Sequence, residues 1–432
     1  MSEGSGRGGA GEGEGNGNGN GLWWWPFPGQ PMTVQEFLQL EASGGIVIFV
    51  AAVAAMVWAN AFGAAYHDFW SEEIRVGFDP VEVGESLEGW VNDALMVVFF
   101  FVVSLEIKRE LVHGELSDRR AASLPVVAAF GGMVLPAAVY FALNVGTEGE
   151  RGWGIPVATD IAFTIGVLAL IGRRIPSGLR IFLLSLAIAD DIGGILIIAA
   201  FYTEGIEPGW LLGAGGLVAA ILVLQRLGVA SYLVYVVVGV ALWFATYESG
   251  VHATIAGVAL GLLTPARPFG GREVLEELED WVAPWAAFVV MPVFALANAG
   301  IEVTPSALEA AFTERLAWGV ALGLVVGKLV GVSLATYLGV RLGVGRLPNG
   351  MRWSQVIGGG ALAGIGFTVS LFIATLSFSS HPELLEEAKL GVFFGSLASG
   401  VLGTAILLMW GRAPPVAAEG PEEAVAGSPG AG

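Results

Sequence analysis

The sequence contains no cysteine. The chain therefore cannot form a disulfide, a thiolate metal site or a cysteine nucleophile, and the redox compartment cannot be inferred from its thiols. We also expect no resident cofactor.

Charge is scarce as well, at 14% of residues, and positive charge is scarcest, with 20 Lys and Arg against 39 Asp and Glu. A net charge of -19 without a basic block excludes nucleic acid as a partner. A soluble chain carries about 25% charged residues. The 55% apolar content and a mean hydropathy of +0.71 instead indicate a membrane protein in contact with lipid, not a soluble enzyme.

The composition divides the chain into three parts. Residues 1–35 are predicted to be a disordered, Gly-rich tail that ends in the interfacial aromatics Trp23, Trp24 and Trp25, with no signal peptide. Residues 36–411 form the membrane domain, and residues 412–432 a second disordered tail.

Twelve apolar segments in the membrane domain are each compatible with a full or shortened membrane helix. Between the first two, residues Trp70 to Leu87 alternate polar and β-branched residues around Asp79-Pro80, which allows either a β-hairpin or an irregular loop. The predicted segments are 44–61, 90–107, 123–144, 153–172, 179–202, 209–227, 231–247, 250–264, 282–299, 316–340, 354–378 and 388–411.

The distribution of basic residues predicts the orientation. With both termini on the cytoplasmic side, fifteen basic residues lie inside and only Arg75, Arg151, Arg315 and Lys389 lie outside. The remaining basic residue, Lys328, falls within an apolar segment.

Four charged residues stand inside apolar runs, where each costs at least ~2.5 to 3.5 kcal/mol on insertion scales. They are Asp160, the adjacent pair Asp190 and Asp191, and Lys328. Neighbouring helical residues point about 100° apart, so one Asp can pair with Lys328 while the other faces a cavity. Oxygen ligands suit a hard cation such as Na⁺ or Li⁺. A buried structural salt bridge beside a protonated spare Asp is the alternative.

Two segments are interrupted by Gly or Pro, at Gly154 and Pro156 and between residues 358 and 366. Such breaks free backbone groups that only a protein-lined or wet cavity can satisfy. AFTIGVLAL at 162–170 is similar to GFTVSLFIA at 366–374. If this is a repeat, segments 3–5 and 10–12 are equivalent units of opposite orientation, and helix dipoles face Asp160 and Lys328.

At ATDIAF, AIADDIGG and VGKLVGV the chain resembles the NhaA-type sodium/proton antiporter family. The resemblance extends through NDALMVVFFFVVSLEIKREL, ESGVHATIAGV, PWAAFVVMPVFALANAG and GIGFTVSLFIA, over about residues 35–410. It implies an all-α inner-membrane protein of twelve helices with inverted repeats, in which helices 4 and 11 are broken and cross. It also implies a homodimer, formed through Trp70 to Leu87, that extrudes Na⁺ or Li⁺ electrogenically against inward H⁺, two protons for each cation, with pH-dependent activity.

Site residues follow from the same resemblance. Asp190 and Asp191 would bind the cation and the protons, with Asp191 favoured as the direct Na⁺ ligand. Asp160 and Thr159 would lie at the broken helix, and Lys328 would be the positive partner of Asp190. The family's pH-sensing cluster corresponds to Glu106, Lys108, Arg109, Glu110, His252 and Glu279.

These pH-sensing assignments have simpler alternatives. Basic residues at a cytoplasmic helix end can be topology anchors, and His252 can be a hydrogen-bonded core residue. The chain departs from the family pattern at Asp280 and Ala283, where some relatives carry His, so we do not carry the family's pH threshold over to it. Asp93 matches a family acid of structural use.

Embedded carboxylates also occur in three other functional classes. An intramembrane aspartyl protease needs a GxGD motif, whereas Ala187, Ile188 and Ala189 precede Asp190. A cation channel needs a ring of acids, whereas the embedded acids of this sequence form no ring. A sodium-coupled symporter of an organic anion on the same architecture is the main alternative, and it needs a polar substrate pocket beside the ion site.

Overall fold

The computed structural model describes residues 34–78, 81–172, 175–203, 205–305, 309, 313–348 and 350–410. The tryptophan cluster and almost all of both predicted tails lie outside these residues. The described chain is mainly helical. Its helices are α1 (Val34–Ala61), α2 (Gly63–Trp70), α3 (Leu87–Val112), α4 (Arg119–Asn144), α5 (Ile161–Ile171), α6 (Ser177–Phe201), α7 (Pro208–Arg226), α8 (Tyr232–Glu248), α9 (Thr254–Leu263), α10 (Val274–Asn298), α11 (Arg315–Arg341), α12 (Trp353–Leu362), α13 (Phe367–Ser377) and α14 (Pro382–Trp410).

Among the described residues, eight helices are long and apolar enough to cross a membrane: α1, α3, α4, α6, α7, α10, α11 and α14. Two further spans are bent pairs. The 3₁₀ helix Glu148–Val157 meets α5 at 45°, and α12 meets α13 at 44°. Helices α8 and α9 are apolar but shorter. Every predicted segment corresponds to one of these elements, and both predicted interruptions are real breaks.

Residues Glu73–Phe78 (β1) and Val81–Ser86 (β2) form an antiparallel hairpin, so the hairpin and not the irregular loop is adopted. Two side chains outside the hairpin hold it against the helices. The Trp90 indole donates to the carbonyl of Ile74 at 2.9 Å, and the Tyr247 hydroxyl donates to the Glu85 carboxylate.

Small residues let two of the long helices touch. A Cβ on Gly331 of α11 would lie 2.2 Å from the carbonyl oxygen of Gly131 on α4. Only glycine tolerates this approach, which is the packing that small residues allow between membrane helices. The contact is one turn from Lys328 and therefore fixes where that side chain enters the bundle.

The outer face of the bundle is apolar. On α1, Val50 and Val57 are 60% and 62% exposed, while Ile48 on the opposite face is fully buried. Large exposed apolar surface of this kind fits contact with lipid. Polar side chains such as Asp190, Lys328 and Gln355 are buried inside the bundle.

Candidate functional site

The two broken spans meet at their breaks. The backbone N–H of Asp160 donates to the carbonyl of Ile365 at 2.6 Å, and the Thr164 hydroxyl donates to the carbonyl of Leu362 at 3.3 Å. Unwound backbone cannot remain unpaired inside a membrane. Each break therefore supplies hydrogen-bond partners that the other needs.

Asp160 is the N-cap of α5 and also reaches the start of α13. Its carboxylate accepts the backbone N–H of Phe163 at 3.1 Å and that of Thr368 at 3.0 Å, and the Thr368 hydroxyl as well. Both N–H groups belong to helix N-termini, where the backbone dipole favours negative charge. One carboxylate thus offsets two half-helix dipoles, as the sequence suggested for the first of them.

Asp190 and Lys328 form a buried ion pair, with 1% and 0% of each residue exposed. The Thr159 hydroxyl lies between the broken span and this pair, 2.6 Å from Asp190 Oδ2, 2.8 Å from the carbonyl of Ala363 and 3.0 Å from Lys328 Nζ. Lys328 donates to Thr159, whose single proton can go to only one of its two acceptors. The hydroxyl can therefore switch between the carboxylate and the break.

The two adjacent aspartates have different surroundings. Asp190 uses Oδ2 for Lys328 and Thr159, while its Oδ1 is buried without a hydrogen-bond partner among the described residues. Asp191 is only partly buried and lines a cavity. Consecutive residues on α6 diverge by about 100°, which separates a paired carboxylate from an accessible one.

The cavity beside Asp191 has a volume of about 50 Å³. At roughly 10–15 Å³ for each water centre, it has room for about three to five water molecules. Its polar lining consists only of oxygen-bearing side chains, which fits a hard monovalent cation better than a soft metal. These side chains are Glu41, Glu106, Thr159, Asp160, Asp191 and Thr368.

A permanently bound metal would need several ligating side chains grouped around it. No group of three or more His, Asp and Glu side chains is arranged to hold a metal within the described ranges. The resemblance noted from the sequence implies a transported Na⁺ at Asp190 and Asp191, and two carboxylates with nearby hydroxyls fit an ion that is held weakly enough to leave.

The residues matched to the pH-sensing cluster only partly come together. Arg109 on α3 lies 3.3 Å from Glu279 on α10 and 3.7 Å from Glu110. Glu106, one turn earlier on α3, faces the cavity instead. Arg109, Glu110 and Glu279 form an ion-pair group at the end of the bundle where α3 ends and α10 begins.

Lys108 and His252 lie apart from that ion-pair group. Lys108 Nζ donates to the carbonyls of Leu262 and Thr264 at the C-terminal end of α9, where a cation is favoured by the exposed carbonyls. His252 precedes the N-terminus of the same helix, and its carbonyl accepts the N–H of Ile255 at 3.0 Å. The length of α9, about 15 Å at 1.5 Å per residue, separates the two.

Asp93 lies in the π-helical turn Val91–Leu95 of α3. Its carbonyl accepts the indole N–H of Trp243 at 2.6 Å, which ties α3 to α8. This contact involves the backbone, so it is open to any residue at the position.

Two site residues were not found from the sequence. Thr368 bonds to Asp160, and Glu41 lines the cavity. Thr368 could have been found, because GFTVSLFIA aligns it with Thr164, and each of these threonines bonds to the opposite broken span. Glu41 has no such signal, since it stands at the start of an apolar run like an ordinary helix-end acid.

Comparison with known proteins gives one consistent family. Residues 35–407 match the family described as Na⁺/H⁺ antiporter 1. The chain is 43% identical over 429 residues to the Na⁺/H⁺ antiporter NhaA of Rhodopirellula baltica, covering 89% of this chain and 96% of that protein. It is 46% identical over 374 residues to the antiporter of that name from Escherichia coli strain UTI89, covering 86% and 96%.

Proposed function

The chain belongs to the Na⁺/H⁺ antiporter 1 family, and we propose that it exchanges Na⁺, and also Li⁺, for H⁺ across a bacterial inner membrane. One observation carries the assignment of the site. Two adjacent aspartates lie where two broken spans meet, one paired with a buried lysine and the other open to a cavity of about 50 Å³. We assign cation and proton binding to Asp190 and Asp191.

The mechanism is competition for the same oxygens. A cation entering the cavity is bound by Asp191, and the Thr159 hydroxyl in the same lining is available to its coordination. Asp190 does not line the cavity, but its Oδ1 has no hydrogen-bond partner among the described residues, so we infer that it joins the coordination after a small side-chain rotation. A carboxylate that binds Na⁺ must first release its proton, and a returning proton displaces the ion. Release on opposite sides of the membrane then requires a change of access between the two states.

Lys328 couples the charges. With Asp190, Asp191 and Lys328 all ionised, the empty site carries one net negative charge. One Na⁺ brings the site to neutral, whereas protons on both aspartates bring it to one positive charge. Two protons returned for each cation make the exchange electrogenic. The Thr159 hydroxyl, shared between Asp190 and the carbonyl of Ala363, links this step to the break in the second broken span.

The finer architecture belongs to the same proposal. Twelve membrane spans require α8 and α9 to cross in addition to the eight long helices and the two bent pairs. We propose that the bent pairs cross at mid-membrane as equivalent parts of inverted repeats and that both termini are cytoplasmic. We also propose that the β1–β2 hairpin joins two copies in a homodimer.

We assign pH regulation to the ion-pair group of Arg109, Glu110 and Glu279, with Glu106 linking it to the cavity. Lys108 and His252 stay candidates for the same role. Their positions at opposite ends of α9 would let a tilt of that helix move both.

The symporter alternative is less well supported. An organic anion would have to enter a cavity of about 50 Å³ whose polar lining includes four carboxylates. Both the size and the sign of the charge oppose it, and the family's relatives are named as antiporters.

The decisive experiment uses everted vesicles with an imposed pH gradient. Addition of Na⁺ or Li⁺ should dissipate the gradient, whereas K⁺ should do little. The apparent KM for Na⁺ should rise as the pH falls, because protons compete for the same carboxylates. No dissipation with either ion between pH 7 and 9 would rule out the antiporter assignment.

A further inference from the structure

Glu41 lies on the face of α1 that is turned toward the ion site. Glu41, Gly45 and Ile48 are spaced i, i+4 and i+7, which puts them on one helix face. Ile48 is fully buried and lines the same cavity as Glu41. Glu41 itself is half-buried and stands in the first turns of this long helix, so it marks the end of the cavity nearest the start of α1.

Close packing fixes the distance between this carboxylate and the site. A Cβ on Gly45 would lie 2.4 Å from the carbonyl oxygen of Ala162, two residues after Asp160. On the other side, a Cβ on Gly44 would lie 3.0 Å from Cβ of Ala287 on α10. Glu41 is one turn, about 6 Å, from the first contact. The α1 backbone thus holds Glu41 within a turn of the broken span.

Glu106 provides a second, independent observation at the same place. It lines the cavity from α3 and is 6% exposed, and its carboxylate makes no hydrogen bond or ion pair within 4 Å among the described residues. The Arg109 guanidinium attracts this carboxylate from beyond ion-pair distance, but it is paired with Glu279 and Glu110. A buried carboxylate without a closer positive partner is costly. Because the cavity is the space it faces, a cation in the cavity is the partner that this arrangement fits.

We propose that Glu41, together with Glu106, forms an initial binding position for the cation at the entrance of the cavity, from which the cation moves to Asp191. The inference rests on the proposed antiport function and adds a residue that determines cation capture. Clefts lined by one sign of charge raise the local concentration of the opposite ion. Glu41 therefore acts on the apparent affinity for the cation, while the exchange chemistry stays with Asp190 and Asp191.

The first test measures exchange kinetics in proteoliposomes containing the full chain. Glu41→Gln should raise the apparent KM for Na⁺ about threefold or more with a smaller effect on the maximal rate, and the difference should shrink in high salt as the charge is screened. Glu41→Asp should restore most of the affinity. Glu273→Gln removes an exposed acid at the start of α10, outside the cavity lining, and should leave KM unchanged.

The second test uses the absence of native cysteine. In Glu41→Cys, labelling with a sulfonate methanethiosulfonate returns a negative charge, and labelling with a trimethylammonium analogue adds a positive one. The two labels are compared on one folded protein, so a folding defect cannot imitate the result. The anionic label should lower the KM for Na⁺ and the cationic label should raise it.

The outcomes separate the two claims. If the unmodified protein shows no Na⁺-dependent proton movement, the antiport function itself fails. If it exchanges normally but KM is the same in Glu41→Gln and Glu273→Gln, or with both labels, the entrance role of Glu41 is wrong. A fall in maximal rate at constant KM also contradicts it, because that result indicates a role in the exchange step.

Discussion

The carboxylate of Asp160 accepts the backbone N–H of Thr368 at 3.0 Å across the two breaks, while the same carboxylate caps its own half-helix at Phe163. One side chain therefore joins the positive ends of α5 and α13. This relationship makes Asp160 a structural link between the broken spans as well as a charge beside the site, and the two roles can be tested separately.

Thr368→Val removes the hydroxyl that donates to Asp160 and keeps the side-chain shape. The variant should lose about 1–3 kcal/mol of stability, because a buried charged acceptor loses one of its donors. Thermal unfolding in detergent measures the loss. Thr375→Val, in which the hydroxyl mainly bonds within its own helix, is the control and should change less. Equal melting temperatures for the two variants would mean that the Asp160 contact adds nothing.

Asp191→Asn should abolish Na⁺-dependent proton movement while the protein stays folded, because the amide neither carries the charge nor exchanges a proton. Vesicle assays report the activity, and the melting temperature in detergent reports the fold. Asp68→Asn changes an exposed aspartate on α2 and should behave like the unmodified protein. Retained exchange with an unaltered KM for Na⁺ would place the ligand elsewhere.

Lys328→Ala leaves the Asp190 charge buried and unpaired. Breaking a buried pair costs about 3–5 kcal/mol, so the melting temperature should fall clearly, and adding Asp190→Asn should recover part of the loss. Arg272→Ala breaks the surface pair with Glu277 and should cost at most about 1 kcal/mol. Normal stability together with normal electrogenic exchange in Lys328→Ala would contradict a coupled pair.

Gly331→Ala tests the contact that brings Lys328 into the site. The new Cβ would stand 2.2 Å from the carbonyl oxygen of Gly131 and must push α11 away from α4, which should lower both stability and exchange. Gly216→Ala on α7 is the matched control, because its added Cβ meets no atom within 4 Å and alanine favours the helix. If both variants melt alike, the close approach of α4 and α11 is not needed.

The exposed face of the β1–β2 hairpin leads us to expect a homodimer. Ile74 and Val76 lie on one face of β1 and are 40% and 54% exposed, which offers an apolar strand to a second copy. Replacing both by Asp should give a monomer that still exchanges ions, whereas the double variant Ile74→Val, Val76→Ile should keep the mass of the unmodified protein. Light scattering of the detergent-solubilised protein measures the mass of each variant. A monomeric unmodified protein would exclude the homodimer.

Much of the fold and of the candidate site could be predicted from hydropathy and from the few charged residues that lie within apolar segments. The apolar segments, both interruptions and the four embedded charges are local properties, because a membrane helix must be apolar over its own length and an embedded charge must have a use. Adjacent Asp190 and Asp191 also had to diverge, since helix geometry alone separates them. The hairpin alternatives stayed open because a short alternating stretch does not determine its own pairing.

The tertiary structure decided which of these groups meet. The sequence does not say that Thr159 lies between Asp190 and the break of the other span, or that Thr368 bonds to Asp160, because both contacts join residues far apart in the chain. The sequence also does not show that Glu41 and Glu106 line the same cavity. Glycine contacts between backbones bring these helices together, and such packing depends on shape in three dimensions that no single segment contains.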